Sequence, residues 1–130
     1  MLVDVQVHHE GGWTIVAVVG ELDLTVAPRI RHAVVEALGP GRAVAEAPQV
    51  VLDLGGVHFV DSSGLGIVLG VLRRVRQAGG ALRVVVVEPQ VVGLFELLEL
   101  DRILDRRPSV QDALAAPMTA GATADGATGG

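Results

Sequence analysis

No lysine occurs among the 130 residues, and all ten basic side chains are arginine. Schiff-base chemistry and the GxxxxGK[ST] phosphate loop both need an ammonium on a flexible stem, so both are excluded. Cysteine is also absent. That removes a disulfide framework, a thiolate nucleophile and any cysteine metal site, and it fits the reducing cytoplasm of a bacterium. Tyrosine is missing too, which leaves Trp13, Phe59 and Phe95 as the aromatic residues. With ten basic against 15 acidic residues, net charge -5, the chain has neither the positive field nor the stacking rings of a nucleic-acid binder. The first basic residue is Arg29, and no apolar run approaches the roughly 18 residues of a membrane span. Neither a signal peptide nor a membrane helix is expected. His8, His9, His32 and His58 show no HxxxH or HExxH spacing, so no metal site is expected either.

What the chain has in quantity is aliphatic surface: half of its residues are hydrophobic. That is enough for one core, and a chain of this length buries roughly two thirds of its unfolded surface. Residues 2–8 alternate with Val3, Val5 and Val7 on one face. Gly11-Gly12 follows and then a second strand-like run, Trp13 to Val19, which together predict an antiparallel hairpin. Thr25 to Leu38 repeats apolar residues every fourth position and is bounded by Pro28 and Gly39-Pro40, as an amphipathic helix is. Val50 to Leu54 and Ala81 to Val87 are near-continuous β-branched runs of the kind found inside a parallel sheet. Between them, Gly64 to Gln77 reads as a crossover helix that ends at Gly79-Gly80. Pro89 to Leu100 reads as a further helix, Arg102 to Arg106 as a short edge strand, and Ser109 to Ala116 as a capped helix. The order β-β-α-β-α-β-α-β-α describes one α/β domain over residues 1–117, a mixed central sheet flanked by about four helices. Residues 39–48 read as a loop. Residues 118–130 hold only Thr, Ala, Gly, one Met and one Asp, and read as a flexible tail.

The local sequence richest in chemistry is Val57-His58-Phe59-Val60-Asp61-Ser62-Ser63-Gly64-Leu65-Gly66, where a β-like tetrad runs into polar residues and then into the crossover helix. Asp61, Ser62 and Ser63 therefore fall at a helix N-terminus. Their plainest role is capping, worth about 1 kcal/mol. A hydroxyl there is also exposed, and a phosphate placed on it would meet free N–H groups and the positive end of the helix dipole. A second polar island, Gly20-Glu21-Leu22-Asp23-Leu24-Thr25, closes the second strand. Strand-to-helix junctions gather at one edge of a parallel sheet, which predicts Asp23 near Ser62.

Taken together, Gly20-Glu21-Leu22-Asp23, Asp61-Ser62-Ser63-Gly64-Leu65-Gly66, Gly79-Gly80 before a Val-rich strand, and Leu94-Phe95 resemble the STAS-domain anti-sigma factor antagonists, or anti-anti-sigma factors. The likeness spans roughly residues 3 to 116. It implies a non-enzymatic, cytoplasmic switch that binds an anti-sigma factor serine kinase and so releases a sigma factor. It also implies a serine phosphatase as a further partner, and no cofactor on this chain, since the ATP belongs to the kinase. By the same resemblance Ser62 is the phosphoacceptor, with Ser63 as its neighbour and lesser candidate. Asp23 and Asp61 are the acidic residues beside it, and Gly64, Leu65 and Leu69 form the helix start offered for docking. Three features depart from the family pattern: the 39–48 loop is longer, Val26 stands where Thr is common, and Glu99-Leu100-Asp101 lacks a Gly.

Three other readings compete. Glu21-x-Asp23-x-Thr25 resembles a haloacid-dehalogenase-type phosphatase motif, but the nucleophilic Asp is replaced by Glu and the required Lys does not exist. Gly64-x-Gly66-x-x-x-Gly70 resembles a dinucleotide loop but lies on the second crossover helix, where helix packing explains it better. The same fold could also serve as an unphosphorylated scaffold or ligand-sensing module.

Overall fold

The computed structural model describes residues 4–38 and 47–115. The tail at 118–130 and nearly all of the 39–48 loop lie outside these residues. Strand β1 (Asp4–Glu10) turns through Gly11 and Gly12, both at positive φ (59° and 84°), into β2 (Trp13–Leu22). Positive φ at both loop residues matches the right-handed twist of a two-residue hairpin, and it fixes the antiparallel register from Glu10↔Trp13 to Asp4↔Val19. The chain continues through α1 (Ala27–Leu38), β3 (Gln49–Val60), α2 (Ser62–Gln77), β4 (Ala81–Val85), α3 (Pro89–Leu97), a 3₁₀ turn at Leu100–Arg102, β5 (Asp105–Arg107) and α4 (Val110–Ala115).

The five strands lie in chain order, β1-β2-β3-β4-β5, and every pair after the first is parallel. Each crossover thus advances in the same direction, and with one hand of connection it places its helix on the same face. Side-chain alternation confirms this. Val16, Val50, Leu52 and Val84 join α1, α2 and α3 in the main core, where Ile30, Val68, Val75 and Phe95 are fully buried. The intervening residues Ile15, Val51 and Val85 face the other way and pack with Trp13 under α4. Val50–Leu54 and β4 are interior, as the sequence predicts.

Several element ends differ from expectation. β3 runs on from Leu54 to Val60, because the strand continues through Gly55-Gly56, where the Asp53 carboxylate takes the Gly55 amide at 2.8 Å. β4 stops at Val85 instead of Val87. The edge strand is Asp105–Arg107, not Arg102–Arg106, because the chain first makes the 3₁₀ turn. That turn follows Glu99, a non-glycine residue at φ 55°. The third helix accordingly ends at Leu97 instead of Leu100. α1 begins at Ala27 and not Thr25, since Asp23 holds Thr25 in a turn. On the α4 face, Arg83 is 4% exposed, lies 4.6 Å from the Trp13 ring centroid, pairs with Asp105 at 3.3 Å and donates to the Ala113 carbonyl. This buried guanidinium pins α4 to the sheet; burial pulls its pKa down while Asp105 opposes the shift.

Candidate functional site

Leu22 and Val60 are register partners at the C-terminal ends of parallel β2 and β3. The next residues, Asp23 and Asp61, therefore leave the same edge of the sheet on neighbouring strands, about 4.8 Å apart in the hydrogen-bonding direction. The Asp61 amide donates to the Leu22 carbonyl at 3.4 Å, which joins the two junctions directly.

From there the local chemistry sets the helix start. Asp61 is extended (φ -96°, ψ -176°) and its Oδ1 accepts from the Gly64 amide at 2.8 Å, so Asp61, and neither serine, is the cap of α2. Ser62 and Ser63 occupy the first two helical positions. Ser62 is exposed, and Ser63 is half-buried between α1 and α2. Gly64 is pressed against β2: a Cβ there would lie 2.9 Å from Val60 Cγ1 and 3.0 Å from the Leu22 carbonyl carbon, and would overlap the carbonyl oxygen. Only glycine lets α2 start this close to the sheet. Leu65 and Leu69 are half-buried, and Leu65 packs on the main core. Across the junction, Asp23 Oδ1 accepts from the Thr25 amide at 3.0 Å and from its hydroxyl at 2.6 Å, an Asx turn that holds the β2–α1 corner.

Sequence reasoning missed the apolar rim. Leu24 is 70% exposed at the tip of the Asp23 turn, and Phe59 is 48% exposed three residues before Ser62. Beside Phe59, His58 Nε2 stands 3.7 Å from Glu21 Oε2. An aromatic in a strand flanked by a polar residue is the signal that could have flagged this face. The glycine pattern proves to be helical: Gly66 and Gly70 lie inside α2 and not in a loop. Helix packing does not explain them, since among the described residues no atom of a neighbouring element lies within 4 Å of where their Cβ atoms would be. Among the described residues no group of three His, Asp or Glu could hold a metal ion, and no helix is long and apolar enough to cross a membrane.

The arrangement gathers on one edge an exposed hydroxyl on a capped helix, two carboxylates committed to holding turns, and apolar side chains left in solvent. The STAS domain model matches residues 4–113. An anti-sigma F factor antagonist from Paenibacillus polymyxa is 33% identical over 104 residues, 80% of this chain and 86% of that protein. The anti-sigma-B factor antagonist of Bacillus subtilis (strain 168) is 29% identical over 90 residues, covering 69% and 77%. The crystal structure of an anti-sigma factor antagonist from Mycobacterium paratuberculosis superimposes with a TM-score of 0.69 at 30% identity, covering 87% of this chain and 92% of that one. The chain is a regulatory binding domain and not an enzyme, as its anti-sigma factor antagonist relatives indicate. The chain belongs to the STAS domain family, and these relatives within it are anti-sigma factor antagonists.

Proposed function

We propose that the chain is an anti-sigma factor antagonist whose unmodified form binds an anti-sigma factor serine kinase in the bacterial cytoplasm, frees that kinase's sigma factor, and is switched off by phosphorylation of Ser62. A serine phosphatase reverses the switch. The observation that carries this reading is the exposure of Ser62 at the first position of α2 while Asp61 does the capping. The hydroxyl is free for modification without loss of the helix start. A phosphate there adds about -1.5 to -2 charges at neutral pH. In the free domain, the helix N–H groups and the positive dipole end accommodate it. At an interface the same charge must be desolvated next to Asp23 and Asp61, against a surface shaped for a hydroxyl, and binding weakens. A loss of only about 1.4 kcal/mol is tenfold in affinity. Gly64, Leu65, Leu69 and Ser63 complete the docking surface, with Leu24 and Phe59 as apolar contacts.

The test is incubation with an anti-sigma factor serine kinase from the same organism, with ATP and Mg²⁺, followed by mass spectrometry. Partner affinity is then compared for wild type, Ser62→Ala and Ser62→Asp. Ser62→Ala binds and resists modification; Ser62→Asp binds at least tenfold more weakly. Phosphate on Ser63 alone moves the switch by one residue. No phosphate on either serine, with full binding by Ser62→Asp, overturns the reading in favour of an unphosphorylated scaffold or ligand-sensing module.

A further inference from the structure

Six of the nine described arginines have partners: Arg29 with Asp4, Arg83 with Asp105, Arg102 with Glu99, Arg106 with Asp101, Arg107 with Asp105, and Arg76 with the Ile103 carbonyl. The remaining three, Arg31, Arg73 and Arg74, have no partner among the described residues, and all three line one groove between α1 and α2. Among the described residues no carboxylate lines it, on a chain whose net charge is -5. The dipole of α2 favours a cation in its last turn, which accounts for Arg74. It does not account for Arg31, which sits in the N-terminal half of α1, where the dipole disfavours positive charge. The groove encloses about 620 Å³, within the range of small-ligand sites. Gly66 and Gly70 leave its floor open on α2, while Ile67 and Leu24 supply apolar wall toward the Ser63 end. Three guanidiniums and the apolar side chains of Leu24, Val34, Ile67 and Val71 therefore share one groove.

We propose that this groove binds a small anionic amphiphile, with the apolar portion over Gly66, Gly70 and Ile67 and a carboxylate or phosphate head on Arg31, Arg73 and Arg74. Guanidinium forks suit either head group in bidentate geometry. Phosphate alone lacks the apolar contacts, and a neutral amphiphile leaves three arginines unpaired. The groove shares Leu24 and Ser63 with the proposed docking surface, but its test uses no kinase and so stands or falls separately from that reading.

Dodecyl phosphate and laurate, each below its micellar concentration, are titrated into the full chain by calorimetry, with amide chemical shifts followed by NMR. At least one binds saturably at one site, with the largest shifts at Gly66 and Gly70. Inorganic phosphate and dodecyl maltoside each bind at least tenfold more weakly. The triple substitution Arg31→Glu, Arg73→Glu, Arg74→Glu weakens binding at least tenfold. So does Gly70→Leu, which fills the floor at a helical position with free space; circular dichroism checks that both variants stay folded. The proposal is overturned if neither amphiphile binds saturably, if dodecyl maltoside or inorganic phosphate binds equally well, if the shifts centre elsewhere, or if binding survives either variant within threefold.

Discussion

Adding one methyl group at Gly64 tests the geometry on which the serine site depends. In Gly64→Ala the new Cβ would lie 2.9 Å from Val60 Cγ1 and 3.0 Å from the Leu22 carbonyl carbon, and would overlap the carbonyl oxygen. Comfortable carbon contacts begin near 3.5 Å, so the first turn of α2 must back away from β2 by roughly 1 Å. The neighbours that block it are a strand carbonyl and a β-branched side chain, neither of which yields easily. Overpacking of this kind costs about 1–3 kcal/mol. The bond from the Asp61 amide to the Leu22 carbonyl, already 3.4 Å long, is lost in the movement, at about 0.5–1.5 kcal/mol. Alanine returns about 1 kcal/mol through helix propensity. The net is a destabilisation of about 2 kcal/mol, or roughly 10 °C in Tm for a domain of this size. Gly66→Ala supplies the contrast on the same helix: its Cβ meets nothing within 4 Å, so only the propensity gain of about 1 kcal/mol remains, and stability rises. Gly80→Ala is the matched control, because its Cβ would overlap the Pro48 carbonyl, far from the serine in sequence and on another strand junction. Urea and thermal unfolding read the stabilities, and the rate of the phosphorylation proposed at Ser62 reads the site. Gly64→Ala and Gly80→Ala both lose stability, but only Gly64→Ala alters the phosphorylation rate at a temperature where all variants are folded. A Gly64→Ala protein as stable as wild type, or a Gly66→Ala protein equally damaged, refutes the reasoning.

Replacing Arg83 by Met keeps most of the side-chain volume but removes the donor to the Ala113 carbonyl and the charge beside Asp105 and Trp13. A loss of about 2 kcal/mol in urea unfolding is expected, with a red shift of Trp13 emission as α4 loosens; unchanged emission and stability contradict the anchoring role. Asp101 accepts two 2.8 Å bonds from the Arg106 guanidinium, and this hydrogen bonding, opposed by burial and aided by charge attraction, holds its pKa below the ordinary carboxylate value. A depressed folded pKa stabilises the fold above the unfolded pKa of about 3.9 and loses that contribution as pH falls through the folded value. Wild type therefore exceeds Asp101→Asn in Tm at neutral pH, and the gap closes below about pH 4. Because the Asp101 carboxylate is 43% exposed, the gap is small, under about 1 kcal/mol; a gap that widens in acid is the opposite of what this pair requires.

The residues that are hard to read from sequence are those whose reason lies in another element. A two-fold alternation, a four-residue apolar period and a capping aspartate act within a few positions, so the hairpin, the crossover helices and the Asp61-Ser62 helix start are legible in the chain itself. The extension of β3 to Val60 is not, because Gly55-Gly56 interrupts the β-branched run that marks a strand. What keeps it a strand is the pairing of Val19 with Gly56 and Leu22 with Val60 across β2. Arg83 sits in a run of aliphatic residues that marks an interior strand, and its burial depends on α4, formed by residues much later in the chain. Gly66 and Gly70 suggest helix packing because small residues usually mark close approach; here they mark vacant space, and only the spacing of α1 from α2 reveals it. Glu99 is the converse case. The missing glycine is visible in sequence, and the structure shows the consequence, a left-handed turn made by a residue with a side chain. Gly64 combines both kinds of information. The sequence places it in the serine motif, but its necessity comes from the Leu22 carbonyl on the neighbouring strand. The parallel register that creates this contact is also what brings Asp23 to the same edge as Ser62. One β2–β3 register thus assembles two distant polar islands on a single sheet edge, and a change that shifts that register disrupts the edge without touching the serine.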